Sequence, residues 1–394
     1  MRAYSIRYMN TYIHSISTAV PDTVYTQEFV RDFMKKNLAG NRSMERAINS
    51  IYSHSGIRKR HSVIREFCAG AGSGPFFDVD SFSLLNPPTG KRNEIYAEET
   101  AKLIRPLATK AVKESQFEIS DITHVITASC TGFFSPGPDW LVIRELGLPA
   151  NTPGHHIGFM GCYAAFPALR VAQYITDSQP DAVVLVICTE LCTLHLPFTQ
   201  NMDALLAASL FADGSAAALV SAIYPDTNRP ALRLQSLHTS HIPEGEKDMK
   251  WTIGNNGFDM TLTTRIPKLI RSHLPAAMAN TPGFLFNDPE FDYWAVHPGG
   301  RAIIDAVQEG FRLVDAALQP SRDTLSEYGN MSSATILFVL DYILKRAPVS
   351  RSRILAMAFG PGLTIESGIL ERIPASSAAS NINDPSNALF HEEA

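Results

Sequence analysis

Long apolar runs are missing from this 394-residue sequence. The longest, such as AVVLVIC from Ala182, match a buried strand and fall far short of the ~20 residues that cross a bilayer, which argues against a membrane span. Excess charge is missing too: 34 lysines and arginines face 39 aspartates and glutamates, a formal net charge of -5. Nothing therefore draws the whole molecule to nucleic acid or an anionic membrane, and an anionic ligand must be met by a local basic patch. Cysteine is scarce: Cys68, Cys130, Cys162, Cys188 and Cys192 are odd in number and lack framework spacing, so at least one thiol is free and a reducing compartment is implied. No secretory signal pattern opens the chain, and a cytoplasmic protein is expected. No glycine-rich phosphate loop follows a first strand, which argues against nucleotide-driven chemistry. Cys188, Cys192 and His195 have a metal-like spacing but no fourth ligand, so no metal is expected.

An apolar fraction of 45% is ample for a packed core. Short β-rich runs over 122–130, 181–190, 214–223, 291–297 and 353–359 read as buried strands. Helical patterns over 97–115, 163–176, 259–274, 300–318 and 331–345 lie between them, so the alternation predicts a layered α/β fold. A shift of 168 positions sets GCYAAFPALRVAQYI, from Gly161, against GNMSSATILFVLDYIL, from Gly329. The same shift takes Ser129 to His297, each closing a β-rich run before a Gly/Pro loop. A duplicated strand–helix unit follows. One half, 1–225, carries Cys162; the other, 226–373, carries His297 and Asn330; a polar tail, expected to be mobile, occupies 374–394.

Pro167 fixes a helix start near 163 or 164, because proline is tolerated only in a helix's first turn. Cys162 would then sit where unpaired N–H groups and the helix dipole favour a thiolate. Alone it reads better as a core thiol. His297, followed by Pro298 and two glycines, ends a strand where proton transfer or oxyanion stabilisation is possible. Asn330 alone reads as a helix N-cap. If the halves pack about a pseudo-twofold axis, all three converge.

The segments GCYAAFPALR, VHPGG, GNMSSAT and AFGPGLTIE, in that order, resemble the signatures of type III polyketide synthases, the chalcone synthase-like enzymes. The resemblance runs over 13–373 and implies a thiolase-like αβαβα fold. It implies that Cys162 takes an acyl group from a starter CoA thioester, and that His297 pairs with the thiolate. His297 and Asn330 would then stabilise the enolate formed as malonyl-CoA loses carbon dioxide. It places Phe211 as a gatekeeper between CoA tunnel and reaction chamber, with Cys130, Thr131, His195 and Met260 on chamber positions. Met260 stands where plant members carry an aromatic, and with Cys130 it hints at a fatty acyl starter and a pyrone or resorcinol-type product. The lysine and arginine that bind CoA phosphates in plant relatives are replaced by Ala47, Ser50 and His54. Arg46, Arg58, Lys59, Arg60 and Arg301 lie near, and the phosphate site stays unassigned. No bound cofactor is implied. A homodimer is implied, with TGFFSPGPD, from Thr131, near the partner's chamber. The competing expectations are a β-ketoacyl-ACP synthase III-like single condensation and a non-catalytic CoA-binding protein of the same fold.

Overall fold

The computed structural model describes residues 10–68, 70–196, 198–226, 228–279, 291–347 and 350–375. The expected polar tail, apart from its first two residues, lies outside them. The strands are β1 Thr11–Ala19, β2 Val24–Thr26, β3 Lys59–His61, β4 Phe77–Asp78, β5 Ser83–Leu84, β6 His124–Ser129, β7 Gly154–Gly158, β8 Val183–Leu191, β9 Asp213–Ser221, β10 Ala231–His241, β11 Met249–Gly254, β12 Gly257–Leu262, β13 Tyr293–Val296, β14 Ser352–Gly360 and β15 Thr364–Ile373. The helices are α1 Gln27–Leu38, α2 Arg42–Ser53, α3 Thr89–Lys113, α4 Pro138–Leu146, α5 Ala165–Ser178, α6 Met202–Leu210, α7 Ile266–Met278, α8 Arg301–Phe311, α9 Gln319–Tyr328 and α10 Thr335–Arg346. No described helix is long and apolar enough to cross a membrane.

Nine strands form one sheet in the order β13-β14-β15-β10-β1-β9-β8-β6-β7. The order is palindromic about the β1/β10 junction, apart from β7 at one edge. Pairing senses match across it: β6 with β8 and β13 with β14 are parallel, while β8 with β9 and β14 with β15 are antiparallel. This is the duplication expected from the shifted motifs. The half-sheets sandwich α5 and α10, and Ala165, Ala168 and Ala172 of α5 join Leu337, Val339 and Leu340 of α10 in the largest buried cluster. Small side chains on α5 let it lie close between the half-sheets. Ile104, Leu107 and Ala111 of α3 cover the outer face of β8 and β9; Ile270 and Leu274 of α7 with Ile304 and Val307 of α8 cover Leu355 and Met357 of β14. The result is the five-layer αβαβα arrangement. β8 and β9 are buried at every position, as strands covered on both faces must be.

Three expectations need correction. Residues 259–262 belong to β12, the second strand of a hairpin, and the helix begins only at Ile266. The register pairs Gly254 with Gly257 around Asn255-Asn256, a two-residue turn that overrides the helical pattern. The helix expected over 300–318 breaks at Arg312, which adopts φ 54 and is followed by a separate 3-10 turn, Asp315–Leu318. The helix after Cys162 starts at Ala165, slightly later than expected.

Candidate active site

Cys162 lies in the turn between β7 and α5. Gly161 enters that turn with φ +84, and a Cβ there would stand 2.5 Å from Pro361 Cδ, so glycine is required. Pro167 is the third residue of α5, where its missing N–H leaves no helical bond broken. Cys162 is buried, and burial pushes its thiol up to about 11, against the pull of hydrogen bonds from Ser332 and Asn330. Desolvation thus acts against the helix-end stabilisation expected from the sequence.

His297 follows β13 and its backbone N–H donates to Met357 O at 2.8 Å. Its ring is 1% exposed, and neither nitrogen has a hydrogen-bond partner among the described residues. Burial drives the imidazole down to about 3, so it is neutral. A buried ring with both nitrogens unmatched is costly unless something else meets them, which marks it as a functional group. Asn330 is fixed by the backbone on either side of Phe211: its N–H donates to Leu210 O, and Ala212 N–H donates to its carbonyl, both at 2.9 Å. Asn330 Oδ1 accepts from Ser332 N at 2.9 Å, whereas its Nδ2 makes only a long 3.3 Å bond to Gly299 O. Gly329, at φ +72, sits with Arg60 Cγ and Leu210 O each 3.0 Å from where a Cβ would be.

Two cavities flank the Leu210–Phe211 step. The inner one, about 20 Å³, is walled by Cys162, Cys130, Thr131, Phe211, Met260 and Trp251, among others, and its exposed wall is apolar. The outer one, about 340 Å³, is lined by apolar side chains that include Ile51, Leu206, Leu262 and Ile303. Leu210 and Gly299 belong to the outer wall and both touch Asn330, while the adjoining Phe211 belongs to the inner wall. Phe211 therefore stands at the partition.

Of the chamber residues expected from sequence, Cys130, Thr131, Phe211 and Met260 line the inner cavity. His195 does not. Its Nε2 donates to Thr131 O at 2.7 Å, its Nδ1 accepts from Phe258 N at 3.1 Å, and its ring stacks on Phe258 at 4.1 Å. Both nitrogens are spent on backbone, and burial lowers its pKa to about 4, so the ring is a neutral strut behind the wall. Nor do Cys188, Cys192 and His195 converge: Cys188 packs in the central cluster and Cys192 beside Cys162.

Several residues escaped the sequence reading. Glu190, fully buried at the end of β8, accepts from Ser333 Oγ at 2.5 Å, Thr131 Oγ1 at 2.8 Å and Cys130 N at 3.0 Å. Burial raises its pKa while those donors oppose the rise. A lone acid closing the run VVLVICTE was the available signal. Ser332 holds φ 46, a strained conformation for a non-glycine residue, and its Oγ lies 3.3 Å from Cys130 Sγ. Trp251 faces Met260 across the hairpin and donates from Nε1 to Cys130 O at 2.7 Å. Arg60, a candidate for phosphate binding by sequence, is instead 4% exposed and donates to Gln27 Oε1 at 3.0 Å and to the carbonyls of Ala208 and Phe211, each at 2.7 Å.

Residues 7–223 match the family described as chalcone and stilbene synthases, N-terminal domain, and residues 233–374 match its C-terminal domain. The chain belongs to the chalcone and stilbene synthase family. Its fold is similar to that of PKS-I from the brown alga Ectocarpus siliculosus, with TM-score 0.84 and 28% identity over 94% of this chain and 100% of that one. It is similar as well to 1,3,6,8-tetrahydroxynaphthalene synthase from Streptomyces coelicolor A3(2), a bacterial type III polyketide synthase, with TM-score 0.79 and 26% identity over 91% and 98% of the two chains. The type III polyketide synthase domain of Steely1 from Dictyostelium gives TM-score 0.81 and 25% identity over 92% and 99%. The chain is thus a type III polyketide synthase, an acyltransferase that condenses with loss of carbon dioxide.

Proposed function

We propose that the synthase loads an acyl group from a CoA starter onto Cys162 and extends it with malonyl-CoA. The Cys162 sulfur attacks the starter thioester carbonyl; the carbon–sulfur bond to CoA breaks and CoA leaves as the thiol, with His297 handling the proton. Malonyl-CoA then replaces it, its thioester oxygen facing His297 and Asn330. Loss of carbon dioxide places negative charge on that oxygen, where two neutral donors lower the barrier. The carbanion attacks the acyl–Cys162 carbonyl, a carbon–carbon bond forms, and the cysteine thiolate departs. Repetition gives a poly-β-keto chain that cyclises to a pyrone or resorcinol-type product.

The partition supports this reading: Cys162 lies on the inner side and a mostly apolar passage on the outer, with Phe211 at the inner wall. Asn330 bonds Leu210 and Gly299 of the outer wall, and His297, with no partner for its ring among the described residues, lies beside Gly299. Asn330 suits the step because it donates without titrating. The apolar inner wall, with Met260 in place of a flat ring, favours a fatty acyl starter. A cavity of about 20 Å³ holds little more than one water-sized group, so a growing chain must displace wall side chains, of which the unbranched Met260 is the most adaptable. The chemistry calls on no metal or bound cofactor. The enzyme works in the cytoplasm as a homodimer: β7 is an exposed edge strand of the large sheet, and Trp140 and Tyr174 are 46% and 62% exposed, a combination that pairing with a second copy would cover.

Incubation with labelled malonyl-CoA and a panel of short, long and aromatic acyl-CoAs, with products read by mass, tests the reading. Multiple extensions on a long acyl-CoA are expected. A single condensation that requires an acyl-carrier protein would contradict it.

A further inference from the structure

The outer cavity is mostly apolar, with His54 and the hydroxyls of Ser50, Ser55, Ser209 and Thr263 also on its wall, and Arg301 is the one lysine or arginine there among the described residues. The same side chain also walls a second groove, about 350 Å³, that continues past Gly56, Gln319, Arg322 and Ser326. Arg301 thus marks the junction between an apolar passage and a polar one. Its guanidinium is available: the side chain is 56% exposed, and its partner Asp305 lies 3.5 Å away while sitting closer, at 2.7 Å, to Arg322. The carboxylate on the groove wall, Asp323, accepts from Gln319 and Tyr342. The remaining cations near in sequence are less suited. Arg58 and Lys59 close on Glu327 at 2.6 and 3.3 Å, Arg60 is buried on backbone carbonyls, and Arg46 lines neither cavity.

We propose that Arg301 binds the diphosphate of CoA, with the pantetheine arm in the apolar cavity pointing to Phe211 and the phosphorylated nucleoside along the groove toward Arg322. This rests on the reading that CoA thioesters enter through the outer cavity. The chemistry fits the shape: an amide-bearing alkyl arm suits the apolar passage, and the planar guanidinium fork suits phosphate oxygens. Arg322, held by Asp305 and Gln308, adds positive potential along the groove.

Binding of CoA and of pantetheine, which lacks every phosphate, separates this assignment from the condensation reading because it needs no turnover. The wild-type protein is expected to bind CoA more tightly than pantetheine, with a gap that narrows at high salt. Arg301→Gln should weaken CoA about tenfold, the loss of one charge-assisted contact, and leave pantetheine unchanged, which also shows that the variant is folded. Arg301→Lys should recover part of the loss, and Asp305→Asn should tighten CoA by removing a competing carboxylate. Equal affinities of the wild-type protein for CoA and pantetheine, or an unchanged ratio in Arg301→Gln, overturns the assignment. CoA binding that depends on Arg301 without any condensation would instead count against the proposed reaction alone.

Discussion

Replacing Arg60 with methionine removes three hydrogen bonds from a buried guanidinium while nearly keeping its volume. The acceptors left behind are Gln27 Oε1, Ala208 O and Phe211 O. Bonds from a charged donor are worth about 1.5–3 kcal/mol each, and the substitution also relieves the cost of burying the charge, which depresses the Arg60 pKa. Breaking such a buried arrangement leaves a net loss of about 3 kcal/mol. The effect should reach catalysis, because Phe211 ends α6 and its neighbours hold the Asn330 backbone. Equilibrium urea unfolding checks the first part, and the ratio of malonyl-CoA decarboxylation to condensation checks the second. A stability change under about 1 kcal/mol together with an unchanged ratio would show that Arg60 holds neither the fold nor the turn at Phe211.

Cys162→Ala should abolish polyketide formation yet leave some malonyl-CoA decarboxylation, since His297 and Asn330 remain; full product yield contradicts the assignment. Met260→Phe should shorten the accepted starter or the product, read by mass across acyl lengths, and an identical profile rejects Met260 as a chamber wall. Burial is the main cause that pushes the Cys162 thiol up to about 11, and a neutral His297 that accepts its proton as the sulfur reacts eases that proton's loss. Iodoacetamide alkylation of Cys162 should therefore reach half its maximum at a lower pH in the wild-type protein than in His297→Gln; coincident pH profiles rule out His297 as the acceptor of the thiol proton.

The parts of the fold legible in sequence were those whose burial is uniform. β8 and β9 are covered on both faces, so unbroken apolar runs revealed them. β1, the centre of the sheet, was hidden by its polar residues: Thr11, His14 and Ser15 are buried because Thr176, Ser221 and the Ala111 carbonyl satisfy them. Those partners are far away in sequence, beyond any local pattern. Cys162 and Asn330 were legible because duplication places both in turns before the central helices. Glu190 was not, since its donors come from 130–131 and 333, segments that only folding unites. His195 shows the limit of position without orientation: it sits beside the chamber, with a ring turned to backbone.

Three thiols, Cys130, Cys162 and Cys192, line the inner cavity, and Cys162 alone is proposed to carry the acyl chain. Acyl-CoA incubation, rapid acid quench and peptide mass mapping tests this directly. An acyl adduct is expected on the Cys162 peptide and should disappear in Cys162→Ala; an adduct on Cys130 or Cys192 that survives the substitution would contradict this role.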